Sequence, residues 1–323
     1  MHGTLAFVMQ LARGHVMILC CGEALIDFLP RKGADGALVY QPFNGGSIYN
    51  TAIALGRLDI QTGFLGGVSW DYFGEGLADG LVESKVDLRY VKRKHLHTTL
   101  AFVKLVDGHA QYSFVDDASA ARHFLKKDLP KLPKAITALH FGSISLIPEP
   151  CGGTYEALLN REHKSRVICI DPNIRDGLIA EKKKHAERLY GMMSKVDIVK
   201  ISDEDVLWLN KSNDLSKFAK AWLRRGVKVV AITKGGDGVE MYTKGFSFKL
   251  DVPKVKVVDT VGAGDTFTAG FLAYLEKNKQ LTKKQLAIID EATLKDAAHY
   301  AMKAAAVTVS RAGADPPWAQ EMQ

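Results

Sequence analysis

The residues best placed to do chemistry lie late in the chain. Asp259–Asp265 reads DTVGAGD and continues as TFTAGF. Gly262, Ala263 and Gly264 are small, so a ligand can approach their backbone closely. They precede an apolar helical stretch carrying Phe267, Phe271, Leu272 and Leu275. Backbone N–H groups at a helix N-terminus bind anions, and the helix dipole adds to the attraction. Asp265 stands at the entry to that helix, where the positive end is expected to favour its ionised form. A carboxylate beside an anion hole makes little sense for stability, but it suits phosphoryl transfer. The hole holds phosphoryl oxygens and the carboxylate accepts the proton of an attacking hydroxyl. A bare G-x-G-D reads more simply as a turn and a helix cap.

Other polar residues sit where plain packing does not account for them. Asp27 lies between Ile26 and Phe28 in GEALIDF and needs a polar partner, either a sugar diol or a nearby Lys or Arg. DPNIR (Asp171–Arg175) follows an apolar strand. Lys200 ends the next strand, and Ser202 with Asp203–Asp205 comes directly after it. That acidic run suits Mg²⁺, but it suits the first turn of a helix as well. TKGGDG (Thr233–Gly238) is a turn after a further apolar strand.

These residues need a scaffold. Short apolar strands are expected at Ile18–Cys21, Leu25–Phe28, Ala138–Phe141, Val167–Ile170, Ile198–Ile201 and Val229–Thr233. Helices are expected at 47–59, 71–84, 154–163, 181–193, 214–224, 263–277 and 294–309. From about residue 135 the two alternate, which argues a mostly parallel sheet with helices on both faces. Gly238–Tyr242 and Ser247–Leu250 add an antiparallel edge. Ligands of such sheets sit at the carboxyl ends of the strands, where the glycine-rich and polar clusters fall. Thr98–Leu105 and Ala110–Val115 interrupt the alternation. They flank VDGH (Val106–His109), a hairpin signal, and are read with parts of 25–45 as a small β-lid, built from 25–45 and 96–116. Phe102 on the lid is assigned to the substrate pocket.

D-T-x-G-A-G-D with its small and apolar sequel resembles the C-terminal signature of the PfkB, or ribokinase-like, carbohydrate kinases. Gly45–Gly46 with Asn50, then Gly66–Gly67 and WDYFG (Trp70–Gly74), resemble the N-terminal signature, so the resemblance runs over nearly the whole chain from Met17. It implies a ribokinase-like α/β fold and ATP-dependent phosphorylation of a sugar hydroxyl, with Asp265 as base and Gly262–Gly264 as anion hole. It implies sugar binding by Asp27, Gly45, Gly46 and Asn50, and, from the D-x-N-x-R element of the fructokinase branch, by Arg175. Thr233, Gly235, Gly238 and Lys200 are assigned to the nucleotide. Ser202, Glu204 and Asp205 stand where the family carries N-x-x-E near Mg²⁺, with Ser in place of Asn. SRAGA (Ser310–Ala314) resembles the adenine-side loop, and the backbone at Asp259 and Val261 is implied to hold a monovalent cation such as K⁺. Members of the family often pair through their lids, so a homodimer is expected.

Composition is compatible with this. Of the 323 residues, 47% are hydrophobic and 24% charged, the balance of a globular enzyme. The net charge of +7 is scattered rather than gathered into a nucleic-acid motif. No run is long enough to span a membrane. Four cysteines without a C-x-x-C pair fit a reducing cytoplasm. Residues 1–16 are read as a disordered extension before a single domain at 17–323. A nicotinamide or flavin oxidoreductase is disfavoured, because the opening strand lacks G-x-G-x-x-G. A non-catalytic sugar or nucleotide sensor is disfavoured by the presence of Asp265. GEALIDF and DPNIR, which resemble fructokinase elements, favour fructose; the residues leave the 6-hydroxyl and the 1-hydroxyl both open, and the resemblance implies fructose 6-phosphate. YSFVDDASAARHF (Tyr112–Phe124) resembles lids of fructokinases and of aminoimidazole riboside kinases. The latter and 2-keto-3-deoxygluconate kinases are the alternatives.

Overall fold

The computed structural model describes residues 16–106 and 109–323. The segment 1–15, read above as most of an extension, and the Asp107–Gly108 turn lie outside the described residues. In chain order the elements begin with β1 (Met17–Cys21), β2 (Leu25–Lys32), β3 (Leu38–Gly45), α1 (Ser47–Arg57), β4 (Thr62–Leu65), β5 (Gly67–Ser69) and α2 (Tyr72–Glu83). Then come β6 (Val86–Asp87), β7 (Lys92–Lys94), β8 (Thr99–Val106), β9 (His109–Val115), β10 (Ile136–Gly142), α3 (Cys151–Glu162), β11 (Val167–Asp171) and α4 (Lys182–Met193). The last third holds β12 (Ile198–Ser202), α5 (Asp203–Asn210), α6 (Leu215–Arg224), β13 (Val229–Thr233), β14 (Val239–Tyr242), β15 (Ser247–Leu250), α7 (Ala263–Lys277), α8 (Lys283–Ala287) and α9 (Glu291–Val309).

The main sheet has nine strands in the order β15-β14-β13-β12-β11-β10-β1-β4-β6. It is parallel from β6 to β13, and β14 and β15 close one edge antiparallel. Its central strands are apolar without alternation because both faces are covered. In β1 every residue is buried. Ile18 and Cys20 face the layer formed with α1, α7 and α9, and Leu19 and Cys21 face the layer formed with α3, α4 and α6. Gly270 lets α7 press against α9: a Cβ there would stand 2.9 Å from the Cα of Ala301. All four cysteines are buried free thiols. No helix among the described residues is long and apolar enough to cross a membrane.

The second sheet, in the order β3-β2-β8-β9, stands beside the first. β2 runs to Lys32 rather than stopping at Phe28. It pairs antiparallel with β3 and parallel with β8, with Asp27 opposite both Phe43 and Ala101. β8 and β9 pair antiparallel, with Ala101 opposite Phe114 and Phe102 opposite Ser113. Strand alternation therefore sets Asp27, Ala101 and Phe114 on one face and Phe28 and Phe102 on the other. The short elements β6, β7 and α8 carry too few residues to show a period. Asp203–Asp205 is the first turn of α5, the helical alternative of the acidic run.

Candidate active site

α7 begins at Gly262, whose φ of 75° is left-handed and whose missing Cβ leaves room for Ala314. Asp265 is the third helical residue, 6% exposed. The Ser47 hydroxyl donates to its Oδ1 at 2.5 Å and Asn50 Nδ2 donates to its Oδ2 at 2.9 Å. Asn173 Nδ2 in turn donates to Ser47 Oγ at 2.8 Å. Two distant segments, the start of α1 and the loop carrying Asn173, thus fix one carboxylate. Burial pushes its pKa up, and the bonds from Ser47 and Asn50 and the charge of Lys200 do not cancel that push. The expectation that the helix end would favour the ionised form is corrected in direction: desolvation outweighs it. A raised pKa suits a general base.

Beside Asp265 opens a polar cavity of about 410 Å³ lined by Asp27, Gly46, Asn50, Tyr112, Arg175 and Lys200 among others. Asp27 has its pKa pushed up to about 7, chiefly by burial, with Arg175 pulling it down and Asp265 adding to the rise. Gly45 does not line the cavity. A side chain there would collide with the Asp27 carboxylate, so this glycine makes room for that group. Gly46 (φ 102°) does line it. Arg175 bonds the carbonyls of Asn173 and Ile174 and lies 5.4 Å from the centre of the Tyr112 ring.

Phe102 is a correction. It stacks on Phe28 at 4.8 Å and meets Tyr40 edge-on at 5.8 Å, on the lid face away from the cavity. Alternation puts it there; Tyr112 and Phe114 of β9 line the cavity instead. Glu23, Ser47, Asp171 and Asn173 were missed as site residues. Glu23 is buried, with a pKa pushed up to about 7 mainly by desolvation, and its Oε2 has no partner among the described residues. A carboxylate in an apolar run was its only signal. Ser47 carried none, since a serine opening a helix reads as a cap.

The acidic run divides in the structure. Ser202 Oγ accepts from Asp205 N at 3.0 Å and caps α5. Asp205 is buried, accepts from Ile174 N, and has its pKa pushed up to about 7, first by burial and then by Asp171. Glu204 is exposed, and Asp203 is partly buried at the cavity mouth. Among the described residues no three His, Cys, Asp or Glu side chains form a ready-made metal cage. Asp259 accepts from Val261 N at 3.1 Å and Gly313 N at 3.0 Å, tying the loop before α7 to the loop after α9.

A second cavity, of about 490 Å³, is apolar. Val239, Val252, Phe267, Met302 and Val309 form its walls, with Gly238 and Ala263. Thr233, Gly235, Thr260 and Gly264 line both cavities and so mark their junction. Lys200, assigned from sequence to the nucleotide, lines only the polar cavity.

A buried carboxylate at a helix N-terminus, where an apolar cleft meets a polar cavity rich in hydroxyl acceptors, suits a sugar phosphotransferase. The model of the pfkB family carbohydrate kinases matches residues 16–321. The chain belongs to that family. It is 51% identical over 280 residues to a fructokinase of Rhizobium leguminosarum bv. trifolii, covering 87% of this chain and 86% of the relative. It is 32% identical to a probable fructokinase-7 of Arabidopsis thaliana, with 93% and 89% covered. Among solved structures, a fructokinase of Xylella fastidiosa with bound ATP superposes with a TM-score of 0.87 at 26% identity, over 95% of this chain and 96% of that one. A fructokinase of Vibrio cholerae O395 in a fructose-, ADP- and calcium-bound form gives 0.82 at 25% identity, over 93% and 95%.

Proposed function

We propose that the chain is an ATP-dependent fructokinase that transfers the γ-phosphoryl group to the 6-hydroxyl of D-fructose. The observation that carries this reading is the polar cavity's population of buried carboxylates. Glu23, Asp27, Asp205 and Asp265 all face or border it, against Arg175 and Lys200. Such a lining accepts hydroxyl protons and disfavours an acid sugar such as 2-keto-3-deoxygluconate. A relative named fructokinase at 51% identity and the fructose-bound neighbour support the same choice.

In this reading Asp27, Gly46, Asn50 and Arg175 hold the sugar. The apolar cleft holds the adenine, and Thr233, Gly235 and Gly264 border the phosphates. The sugar oxygen attacks the γ-phosphorus in line, its proton passes to Asp265, and ADP leaves with the electron pair of the broken bond. The amides of Gly262–Asp265 stabilise the developing charge. Of the residues expected near Mg²⁺, Ser202 caps α5 and Asp205 is bonded to Ile174 N, so Glu204, exposed at the cavity, would hold Mg²⁺. Mg²⁺ commonly binds through one or two carboxylates plus substrate phosphates and neutralises phosphate charge. The loops joined by Asp259 suit a monovalent cation held by backbone near Asp259 and Val261. The lid closes over the sugar, and its outer face, with Phe28, Tyr40 and Phe102, pairs two copies. Four free thiols fit a cytoplasmic setting.

A coupled ADP-release assay over fructose, 2-keto-3-deoxygluconate, ribose, adenosine and aminoimidazole riboside tests the reading. Fructose should give the highest kcat/KM, with phosphorus NMR placing the phosphate on the 6-hydroxyl. A higher kcat/KM for any of the others overturns the assignment of fructose.

A further inference from the structure

Asp171 and Lys200 form the most deeply buried ion pair at the site. Their side chains are 2% and 7% exposed, and Nζ lies 2.7 Å from Oδ2. Asp171 ends β11, and Lys200 is the middle residue of the neighbouring parallel strand β12. Burying two charges costs several kcal/mol for each, and a buried pair seldom adds stability over an apolar one. Its presence directly behind the cavity wall, with Lys200 lining the polar cavity, therefore calls for another role.

The surroundings specify that role. Among the described residues Lys200 makes a single hydrogen bond, to Asp171, though an ammonium has three donors. Asp171 Oδ1 is buried without a partner. The ammonium lies against Gly264: a Cβ on that glycine would stand 2.9 Å from Nζ. Gly264 is the second residue of α7 and belongs to both cavities, so Lys200 sits where a phosphoryl group must cross from one to the other. Burial works against its charge, but Asp171, Asp265 and Asp205 outweigh it and keep the ammonium protonated.

We propose that Lys200 is a catalytic residue that binds the equatorial oxygens of the phosphoryl group in transit, and that Asp171 is the positioning residue that aims it. This rests on the kinase reading above. Lys200 gives up no proton in the step. The sugar oxygen–phosphorus bond forms, the bond to the ADP oxygen breaks with its electron pair going to ADP, and the proton goes to Asp265. The fixed positive charge stands where the charge of the transferring group is spread over its three equatorial oxygens, at the crossing between the two cavities.

The test measures fructose-dependent ADP release by the parent, Lys200→Met, Asp171→Asn and the double variant Lys200→Met/Asp171→Asn, with melting curves for all. Lys200→Met should lower kcat by roughly 10²–10³-fold, as loss of one transition-state donor does, with the KM for fructose within about twofold. The double variant removes both charges, so it should fold and remain as slow as Lys200→Met. Ethylamine should restore part of the turnover of a Lys200→Ala variant. A purely structural pair predicts the reverse: a double variant that recovers both its melting temperature and its kcat, which would overturn the proposal. Retention of kcat by a folded Lys200→Met would do the same. A parent without sugar turnover would overturn the kinase reading and this role together; a parent with turnover keeps the two outcomes separate.

Discussion

Ser47 and Asp265 are 218 positions apart in sequence and 2.5 Å apart in space, hydroxyl to carboxylate. The start of α1 and the start of α7 therefore meet at the proposed base. A hydrogen bond to a charged carboxylate stabilises the ionised form by roughly 1.5–3 kcal/mol. Ser47→Ala should raise the pKa of Asp265 further. The acid limb of the kcat profile should move up by about one pH unit, with turnover at high pH less affected. A pH–rate series from 5.5 to 9 checks this, and an unmoved acid limb would show that the bond does not act on the base.

Asp265→Asn keeps the shape and the place at the helix entry but cannot take a proton. We expect kcat to fall at least roughly a hundredfold with the melting temperature preserved. The group is buried with a raised pKa, so losing its charge relieves desolvation rather than breaking the fold. Near-normal turnover by the folded variant would remove Asp265 from the mechanism.

Asp27→Asn separates binding from stability. The sugar KM should rise roughly ten- to a hundredfold, the worth of a hydrogen bond to a charged group, while the ATP KM stays near its parent value. The stability effect has a definite sign. The folded pKa, about 7, lies above the ordinary 3.8, so Asp27 contributes stability that is fully present below about pH 4 and lost as pH rises through about 7. The ligand-free parent should lose more melting temperature than Asp27→Asn between pH 5.5 and 8. Matching curves for the two proteins, or equal changes in both KM values, would mark Asp27 as plain scaffold.

Gly264→Val places a branched side chain in the 2.9 Å gap before Lys200 Nζ and in the proposed path of the phosphoryl group. Turnover should drop by roughly a hundredfold or more. Parent-like kcat would show that the group does not pass Gly264.

Phe102→Ala should leave the fructose KM within about twofold, because the ring faces away from the cavity, and should weaken the association of two copies. Sedimentation of the parent at micromolar concentration should report about twice 35.4 kDa, and the variant should dissociate at lower dilution. A parent sedimenting as a single chain would rule out pairing through the lid.

The sheet and the α7 entry were legible because their signals are local and repeated. Continuous apolar strands such as Val167–Ile170 alternate with helices, and DTVGAGD concentrates several requirements in seven residues. Residues whose roles come from three-dimensional neighbours were not legible. Ser47 and Asn173 act on Asp265 only through the fold. Asp171 and Lys200 become a pair only because β11 and β12 lie side by side. Phe102 was misplaced because an aromatic on a lid strand suggests a ligand contact until register decides which face it takes. The acidic run at Asp203–Asp205 kept two readings because a helix start and a cation site ask for the same residues.

The position of β1 bears on how the chain is made. This fully buried strand lies between β4, which follows soon after it, and β10, which begins only at Ile136. Translation proceeds at roughly 5–20 residues per second, so one edge of Met17–Cys21 stays without its neighbour for several to some twenty seconds. An unpaired apolar edge invites association with other nascent chains. Slower growth at low temperature does not shorten that interval, but holdase chaperones that cover it should raise the soluble yield.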